Sequence, residues 1–296
     1  MPIDRTEMLE HLPLMPPEWL LECLSAVRTL DIRSAVDGGG RAAYEQAHIP
    51  GAIHTDYVND GWRTTRGMAT GLLPDAASLS CLFGRLGVRP DDHVVIVSAG
   101  TSAGDFSAAA RVYWTFRCAE HCAVSILDGG MAKWHSDPMR PLESGNGLLP
   151  KPTEYPVTLR GGLRADVAQV SAAIENRDAV LLDSRALGYF AGRQKSPQVA
   201  RPGRLPGAFH LDHARAFDPA RNGLRSRFEL AELFSSVPPG PVVNYCNTGH
   251  QAATNWFVLS ELLRRPDVTL YDGSLSEWAE EPARPVEQDA IDATVP

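Results

Sequence analysis

The sequence contains the same ordered set of four short motifs twice, and this repeat limits the possible folds more than any other feature. Each half carries, in order, an Asp-x-Arg tripeptide, a Pro-Gly-Ala box, a run of apolar residues and an Asp-Gly pair followed by a tryptophan. These motifs occupy residues 31–33, 49–54, 94–97 and 128–134 in the first half, and residues 183–185, 205–210, 242–245 and 272–278 in the second. Self-similarity of this kind predicts two copies of one structural unit.

The local pattern within a copy alternates between strand and helix. In the second half, residues 180–182 form a short apolar run ending at Asp183, which is typical of a parallel strand buried on both faces. It is followed by a helical spacing over 228–234, a strand over 242–245, a helix over 252–259 and a strand over 268–271. This alternation predicts an α/β fold in which each half has a mainly parallel sheet covered by helices on both faces.

The length and one loop-rich segment suggest where the two halves separate. A chain of 296 residues is long enough for two hydrophobic cores. Residues 136–155 are rich in proline, glycine and small polar residues, a composition typical of a linker. We therefore predict an N-terminal domain over residues 1–140, a linker over 141–157 and a C-terminal domain over 158–290.

Charge and cysteine usage exclude several classes of partner and scaffold. A net charge of -8 argues against nucleic acid or an anionic membrane surface as a partner. Residues 1–7 carry acids with no apolar segment behind them, and no apolar run approaches the ~20 residues of a membrane helix, so a cytoplasmic location is expected. The odd number of scattered cysteines, five, argues against a disulfide framework.

Cys246 stands where α/β sheets place their chemistry, directly after a predicted parallel strand and before a predicted helix. Backbone N–H groups of the loop and the positive end of the helix would both favour a nucleophilic thiolate, and Gly249 would supply the tight turn. The alternative is a small buried residue at the end of a strand. The polar residues after Cys246 and its place in the repeat favour the catalytic role.

Two other cysteine chemistries fit the sequence poorly. Cysteine phosphatases need an arginine at the sixth position after the cysteine, to hold phosphate through a bidentate fork, but Ala252 stands there. Cys118, His121 and Cys122 are close enough in sequence to suggest a metal site, yet no second Cys/His pair with ligand spacing accompanies them. We therefore expect neither a phosphatase nor a metal centre.

These motifs together resemble the tandem rhodanese-type sulfurtransferases, and the resemblance extends over nearly the whole chain. It implies an inactive N-terminal domain, a catalytic C-terminal domain and a site between them. Ser98 follows the N-terminal strand that matches the strand before Cys246, and serine cannot carry a persulfide. The N-terminal loop, taken as residues 98–105, is expected to be longer than its counterpart. The implied reaction passes sulfur through a persulfide on Cys246 and needs no metal or organic cofactor.

The resemblance also assigns roles to residues near the cysteine. Arg185 matches the arginine that holds the donor in the family, although it could instead be a structural arginine paired with Asp183. Arg193 is a second, weaker cation for the donor. Asp183 is expected to position the loop or to pair with Arg185. The histidines of the Pro-Gly-Ala boxes are expected to serve packing: His48, His54 and His210.

The loop sequence bears on the sulfur donor. Thiosulfate enzymes of the family usually carry Cys-Arg-Lys-Gly-Val-Thr, and mercaptopyruvate enzymes usually carry Cys-Gly-Ser-Gly-Val-Thr. Here the loop, expected to line the donor site, consists of Cys246, Asn247, Thr248, Gly249, His250 and Gln251. Thr248 could replace the serine hydroxyl that assists catalysis in the mercaptopyruvate enzymes. Asp56 matches the aspartate that the family has after the Pro-Gly-Ala box. Residues 71–74, however, lack the histidine of the mercaptopyruvate enzymes, so their proton relay is incomplete here. His250 could be partly protonated and supply a cation, or it could point away from the pocket and cap the helix or face solvent. Thiosulfate is therefore the preferred donor.

Three functional alternatives remain open from the sequence. The first is transfer from thiosulfate to cyanide or a thiol, and the second is transfer from 3-mercaptopyruvate. The third is a rhodanese-like sulfur carrier or binding module without enzymatic activity, which exchanges sulfur with a protein partner. Retention of Cys246 argues against a pure binding module, and a test of persulfide formation with thiosulfate alone would separate the carrier from the enzyme.

Overall fold

The computed structural model describes residues 12–289. Residues 1–11 and 290–296 lie outside it, including the N-terminal segment on which the expectation of a cytoplasmic location rests. Among the helices that the structure describes, none is both long and apolar enough to cross a bilayer.

The N-terminal half is built on a five-stranded parallel sheet. In chain order its strands are β1 (Leu14–Met15), β2 (Val27–Asp31), β3 (Ile53–His54), β6 (His93–Val97) and β7 (Val124–Leu127), and their order in the sheet is β1-β7-β6-β2-β3. An antiparallel hairpin of β4 (Thr64–Arg66) and β5 (Ala69–Leu72) lies outside this sheet. The helices are α1 (Pro17–Cys23), α2 (Gly40–Gln46), α3 (Ala76–Arg85), α4 (Ala103–Cys118) and α5 (Gly130–His135).

The C-terminal half repeats this plan with four parallel strands. These are β8 (Val180–Asp183), β9 (Phe209–His210), β12 (Val242–Tyr245) and β13 (Val268–Leu270), in the sheet order β13-β12-β8-β9. A hairpin of β10 (Phe217–Asp218) and β11 (Gly223–Leu224) again lies outside. The helices are α6 (Val167–Asn176), α7 (Leu187–Phe190), α8 (Arg227–Phe234), α9 (Ala252–Trp256) and α10 (Ser274–Trp278). The predicted α/β fold with two parallel sheets is confirmed.

The repeated motifs form the same contacts in both halves. The indole N–H of Trp134 donates to the carbonyl of Pro141, and that of Trp278 donates to Pro285. The Nε2 atoms of the two box histidines bond to carbonyls of the Asp-x-Arg arginines: His54 to Arg33, and His210 to Arg185. His48 stacks on Tyr44 and bonds to its carbonyl. The motif histidines therefore hold the fold together, as the sequence indicates.

Two segments differ in detail from the sequence pattern. The predicted helix over 252–259 is α-helical only as α9 and continues as a π-helical turn over Phe257–Leu262. The loop-rich stretch between the halves is irregular but packs on the N-terminal domain, because the Thr153 amide donates to Gly84 and the Thr153 hydroxyl to Val88. The domain bounds given above stay predictions.

The two halves pack through α4 and the helical segment that begins with α9. The hydroxyls of Ser107 and Thr254 lie 2.8 Å apart across this contact. The ring of Tyr113 meets Phe257 edge-on, and its hydroxyl donates to Glu261 at 2.8 Å. One buried apolar cluster includes residues of both halves. This packing brings the loop after β12 against the N-terminal domain.

Candidate active site at the domain interface

Cys246 follows β12 directly and precedes α9, so it lies at the carboxyl edge of the second parallel sheet. This edge is where open α/β sheets bind their ligands. The residue is buried, with 1% of its surface exposed, whereas Asn247, His250 and Gln251 of the same loop are partly exposed. The loop therefore presents a polar rim around a protected thiol.

The start of α10 anchors the cysteine loop through a residue that sequence reasoning missed. The amides of Cys246 and Gly249 both donate to the hydroxyl of Ser274, at 3.0 and 3.1 Å. The Ser274 hydroxyl in turn donates to the carbonyl of Tyr271 at 2.8 Å. Its position directly after the Asp-Gly motif is the sequence signal that points to it, since Gly130 stands at the matching place in the other half.

Other amides of this loop remain available for an anion. Within residues 12–289, the N–H groups of Asn247, Thr248, His250 and Gln251 donate to no protein acceptor. The carbonyls of Cys246 and Asn247 accept from Leu275 and Ser276, which fixes the course of the loop. Several N–H groups on one curved loop form a site suited to negative charge.

The equivalent loop of the N-terminal half holds an internal carboxylate instead. Asp105 accepts from the amides of Gly100, Thr101 and Ser102 at 3.0, 2.8 and 2.7 Å. Because α4 begins at Ala103, this loop spans residues 98–102 and is shorter than the loop over 246–251, so the expectation of a longer N-terminal loop is wrong. The loop without a cysteine thus satisfies its amides from within the chain.

Gly249 is required by both conformation and space. Its φ of +70° lies in the left-handed region that favours glycine, as expected for the turn. A Cβ at this position would lie 2.6 Å from the Arg111 guanidinium and 2.6 Å from the carbonyl of Asp272. The N-terminal domain and the Asp-Gly turn therefore close on the loop from two sides.

Arg185 is committed to Asp183, which is the structural alternative left open by the sequence. Its Nε donates to Asp183 at 2.9 Å, Nη2 also donates to Asp183, and the side chain is buried. Arg33 forms the same ion pair with Asp31 in the N-terminal half, whose equivalent loop has no cysteine, so this pairing belongs to the fold. The Nη1 atom of Arg185 reaches Asn247 at 3.3 Å. Arg185 thus supports the loop, and the bidentate pair leaves little of its guanidinium for a donor.

Two other predicted residues lie apart from the loop's contacts. Arg193 is exposed and has no hydrogen bond or ion pair with another residue of the described chain. The carboxylate of Asp56 accepts from the amides of Val58 and Asn59 at 2.8 and 3.1 Å, and so stabilises a local turn. In the described part of the chain Asp56 has no hydrogen bond to Thr248, so no hydrogen-bonded proton relay joins these two residues.

The hairpin of β4 and β5 covers the cysteine loop. A Cβ at Gly71 would lie 2.2 Å from the carbonyl oxygen of Thr248, and Gly71 has a φ of +84°. Gly71 has no room for a side chain, because the backbone of Thr248 occupies the space that a Cβ would need. A histidine cannot stand here without displacing the loop.

A buried charge network joins the two domains behind this loop. Arg111 of α4 donates to the carbonyls of Gly71 and Gly249, at 2.8 and 3.3 Å. Its Nη2 lies 3.8 Å from the carboxylate of Asp272, and neither side chain is exposed. Asp272 also accepts from the Leu73 amide at 2.6 Å and from Arg164 at 2.8 Å. Sequence reasoning missed Arg111, although it is the single charged residue among the apolar and small residues of the stretch 106–116.

His250 faces the N-terminal domain, where its Nδ1 lies 3.0 Å from the hydroxyl of Tyr57. Burial lowers the pKa of His250 to about 3, and the positive charges of Arg63 and Arg111 contribute to this shift. A histidine with this pKa is neutral at physiological pH. The expectation that His250 is partly protonated and supplies a cation is therefore wrong.

The depressed pKa predicts how His250 affects stability at acid pH. In the unfolded chain a histidine takes up its proton near 6.5, whereas His250 in the folded protein stays neutral down to about 3. The unfolded state thus binds more protons in this window, so the contribution of His250 is complete above 6.5 and is lost as the pH falls. We expect the melting temperature of His250→Gln to fall less steeply between neutral and acid pH than that of the unaltered protein. Parallel curves would contradict this.

The cysteine and histidine group noted in the sequence does not gather as a metal site. Cys118 is buried in the core, Cys122 is exposed, and His121 bonds through Nδ1 to the hydroxyl of Tyr155 at 2.7 Å. Among the residues described, no group of three or more histidine, cysteine or acidic side chains is arranged to hold a metal ion.

The protein consists of two α/β domains that share one plan and enclose a cysteine loop between them. This arrangement defines a class of tandem-domain proteins in which one domain carries the cysteine. The protein-family model of the rhodanese-like domain matches this sequence twice, over residues 16–137 and over residues 166–281. This chain belongs to the rhodanese family.

Similar proteins include both kinds of sulfurtransferase. The chain is 32% identical over 279 residues to 3-mercaptopyruvate sulfurtransferase of Homo sapiens, a match covering 90% of this chain and 91% of the relative. It is 31% identical over 257 residues to thiosulfate sulfurtransferase of Pseudomonas aeruginosa, covering 85% and 90%. The crystal structure of a 3-mercaptopyruvate sulfotransferase from Escherichia coli superposes with a TM-score of 0.76 at 25% identity, covering 89% of this chain and 98% of that one.

Proposed function

We propose that this protein is a thiosulfate sulfurtransferase in which Cys246 carries the transferred sulfur. The Cys246 thiolate attacks the outer sulfur of thiosulfate, the S–S bond of the donor breaks, and sulfite leaves with the electron pair. The persulfide then passes its outer sulfur to cyanide or a thiolate, and the Cys246 thiolate is regenerated. Charge balances in both steps, and no proton or external oxidant is needed.

The observation that carries this proposal is the loop around Cys246. Ser274 fixes two of its amides, and four further amides have no protein acceptor in the described chain. Preorganised N–H groups stabilise charge that develops next to them, here on the persulfide anion and on the departing sulfite. Asp105 in the other half illustrates that this type of loop binds an anion.

The choice of thiosulfate rests on proton transfer. Release of pyruvate from 3-mercaptopyruvate requires that the thiol proton leave sulfur and that the leaving carbon gain a proton, so this donor needs a relay. In this chain Gly71 occupies the position of the family's relay histidine, Asp56 is bonded within its own turn, and the Thr248 hydroxyl has no hydrogen-bond partner in the described chain. Thiosulfate needs no such relay.

3-Mercaptopyruvate is the second candidate, because Thr248 stands at the position of the family's serine and one relative is a 3-mercaptopyruvate enzyme. The two donors are best compared at equal concentration, with thiocyanate formed in the presence of cyanide as the common product. We expect kcat/KM for thiosulfate to exceed that for 3-mercaptopyruvate by at least about tenfold, which corresponds to ~1.4 kcal/mol of transition-state stabilisation. A higher value for 3-mercaptopyruvate would reverse the assignment of the donor.

A sulfur carrier that is loaded by a protein partner would give a different result. Mass spectrometry of the purified protein after incubation with thiosulfate alone should show one added sulfur on the peptide that contains Cys246. A carrier would stay unmodified with either small donor and would become modified only in the presence of a donor protein.

A further inference from the structure

We propose that Arg63, in the N-terminal domain, binds the anionic head group of the donor at the entrance to the cysteine loop. This inference rests on the proposed function, because it concerns how thiosulfate is held beside Cys246. It also answers a problem of charge, since a chain with a net charge of -8 needs local positive potential to attract a dianion.

Arg63 is partly exposed to solvent and lies close to the cysteine loop through its contact with Tyr57. Its guanidinium lies 4.6 Å from the ring centroid of Tyr57, and the Tyr57 hydroxyl lies 3.0 Å from Nδ1 of His250. Tyr57 is buried, whereas Arg63 is partly exposed. A partly exposed cation thus lies one aromatic ring away from the loop that carries Cys246. Burial lowers the pKa of His250 and raises the pKa of Tyr57, and the charge of Arg63 acts to lower both pKa values.

The other arginines near the loop are already engaged. Arg185 is bound to Asp183, while Arg111 and Arg164 share Asp272. Arg63 has no ion pair or hydrogen bond within the described residues. Asp37 is near enough for the charge of Arg63 to lower its pKa against the opposing effect of burial, but the two do not form an ion pair. The guanidinium of Arg63 therefore keeps its five donors for a ligand.

The chemistry of the guanidinium fits the sulfonate end of thiosulfate. A planar fork of N–H groups binds two oxygens of such an anion at once, and stacking on Tyr57 fixes the plane of the fork. The outer sulfur of the donor would then point toward the loop amides and Cys246. The neutral side chain of His250, which contacts the Tyr57 hydroxyl, carries no negative charge that would compete with the anion.

The test measures binding of thiosulfate itself in a protein that cannot turn over. In the Cys246→Ser background, calorimetry should show that Arg63→Gln raises the Kd for thiosulfate by at least about tenfold, because a charge-assisted bidentate contact is lost. Arg63→Lys should retain part of the affinity. Arg66→Gln is the matched control, since Arg66 is an exposed arginine on β4 three residues further along the chain, and its Kd should be unchanged.

Three results would overturn the proposal: unchanged affinity in Arg63→Gln, an equal loss in Arg66→Gln, or no binding of thiosulfate when Arg63 is intact. The melting temperatures of the variants check that Arg63→Gln folds. Because these are binding measurements, they do not depend on turnover. Failure of the proposed function would show separately, as the absence of a Cys246 persulfide in the unaltered protein.

Discussion

Replacing Cys246 by serine should lower the rate of sulfur transfer from thiosulfate to cyanide by at least about a thousandfold, because a hydroxyl cannot form the persulfide intermediate. The substitution removes little volume from a buried position and leaves both amide contacts to Ser274 in place. The fold should therefore survive. Thiocyanate formation under saturating donor and acceptor measures the effect.

Cys81→Ser is the matched control for this experiment. Cys81 is exposed on α3, far along the chain from the cysteine loop, so its loss should leave thiocyanate formation unchanged. Residual transfer in Cys246→Ser that disappears only when a second cysteine is also replaced would assign the sulfur to another thiol and contradict the proposed role of Cys246.

Replacing Asp272 by asparagine should have the largest effect on stability. The carboxylate of Asp272 is fully buried and faces Arg111, which has no exposed surface and, among residues 12–289, no other carboxylate within ion-pair distance. Removing one partner of a buried pair leaves an uncompensated charge, which costs about 3 kcal/mol or more of the free energy of unfolding. Because Arg111 also bonds to Gly71 and Gly249, thiocyanate formation should fall as well. Thermal and urea unfolding measure the loss of stability.

The internal repeat supplies a control for Asp272. Asp128 occupies the matching position in the N-terminal half, but its carboxylate is partly exposed and pairs with Lys133 on the surface. Asp128→Asn should therefore lower the free energy of unfolding by about 1 kcal/mol or less. Equal losses in the two variants would show that the buried network between the domains does not set the stability of the protein.

Much of the fold could be predicted because its signals are local in sequence. Short apolar runs such as the one before Asp183 specify buried parallel strands, and the Asp-x-Arg, Pro-Gly-Ala and Asp-Gly motifs specify turns at fixed places. The π-helical turn over Phe257–Leu262 was not predictable from the same signals, since its apolar spacing fits an α-helix equally well. The short N-terminal loop was missed although Ser102 and Asp105 have the spacing of a capping box, which places the start of α4 at Ala103.

The sequence by itself determined the tandem α/β plan and the place of Cys246 between a strand and a helix, because hydrophobic periodicity and turn residues act over a few neighbouring positions. The tertiary structure alone decided what surrounds the thiol. Arg111 meets Gly249 across 138 residues, Leu73 meets Asp272 across 199, and Tyr57 meets His250 across 193. Such contacts, and the neutral state that burial imposes on His250, depend on how two domains pack together, and no local pattern encodes that packing.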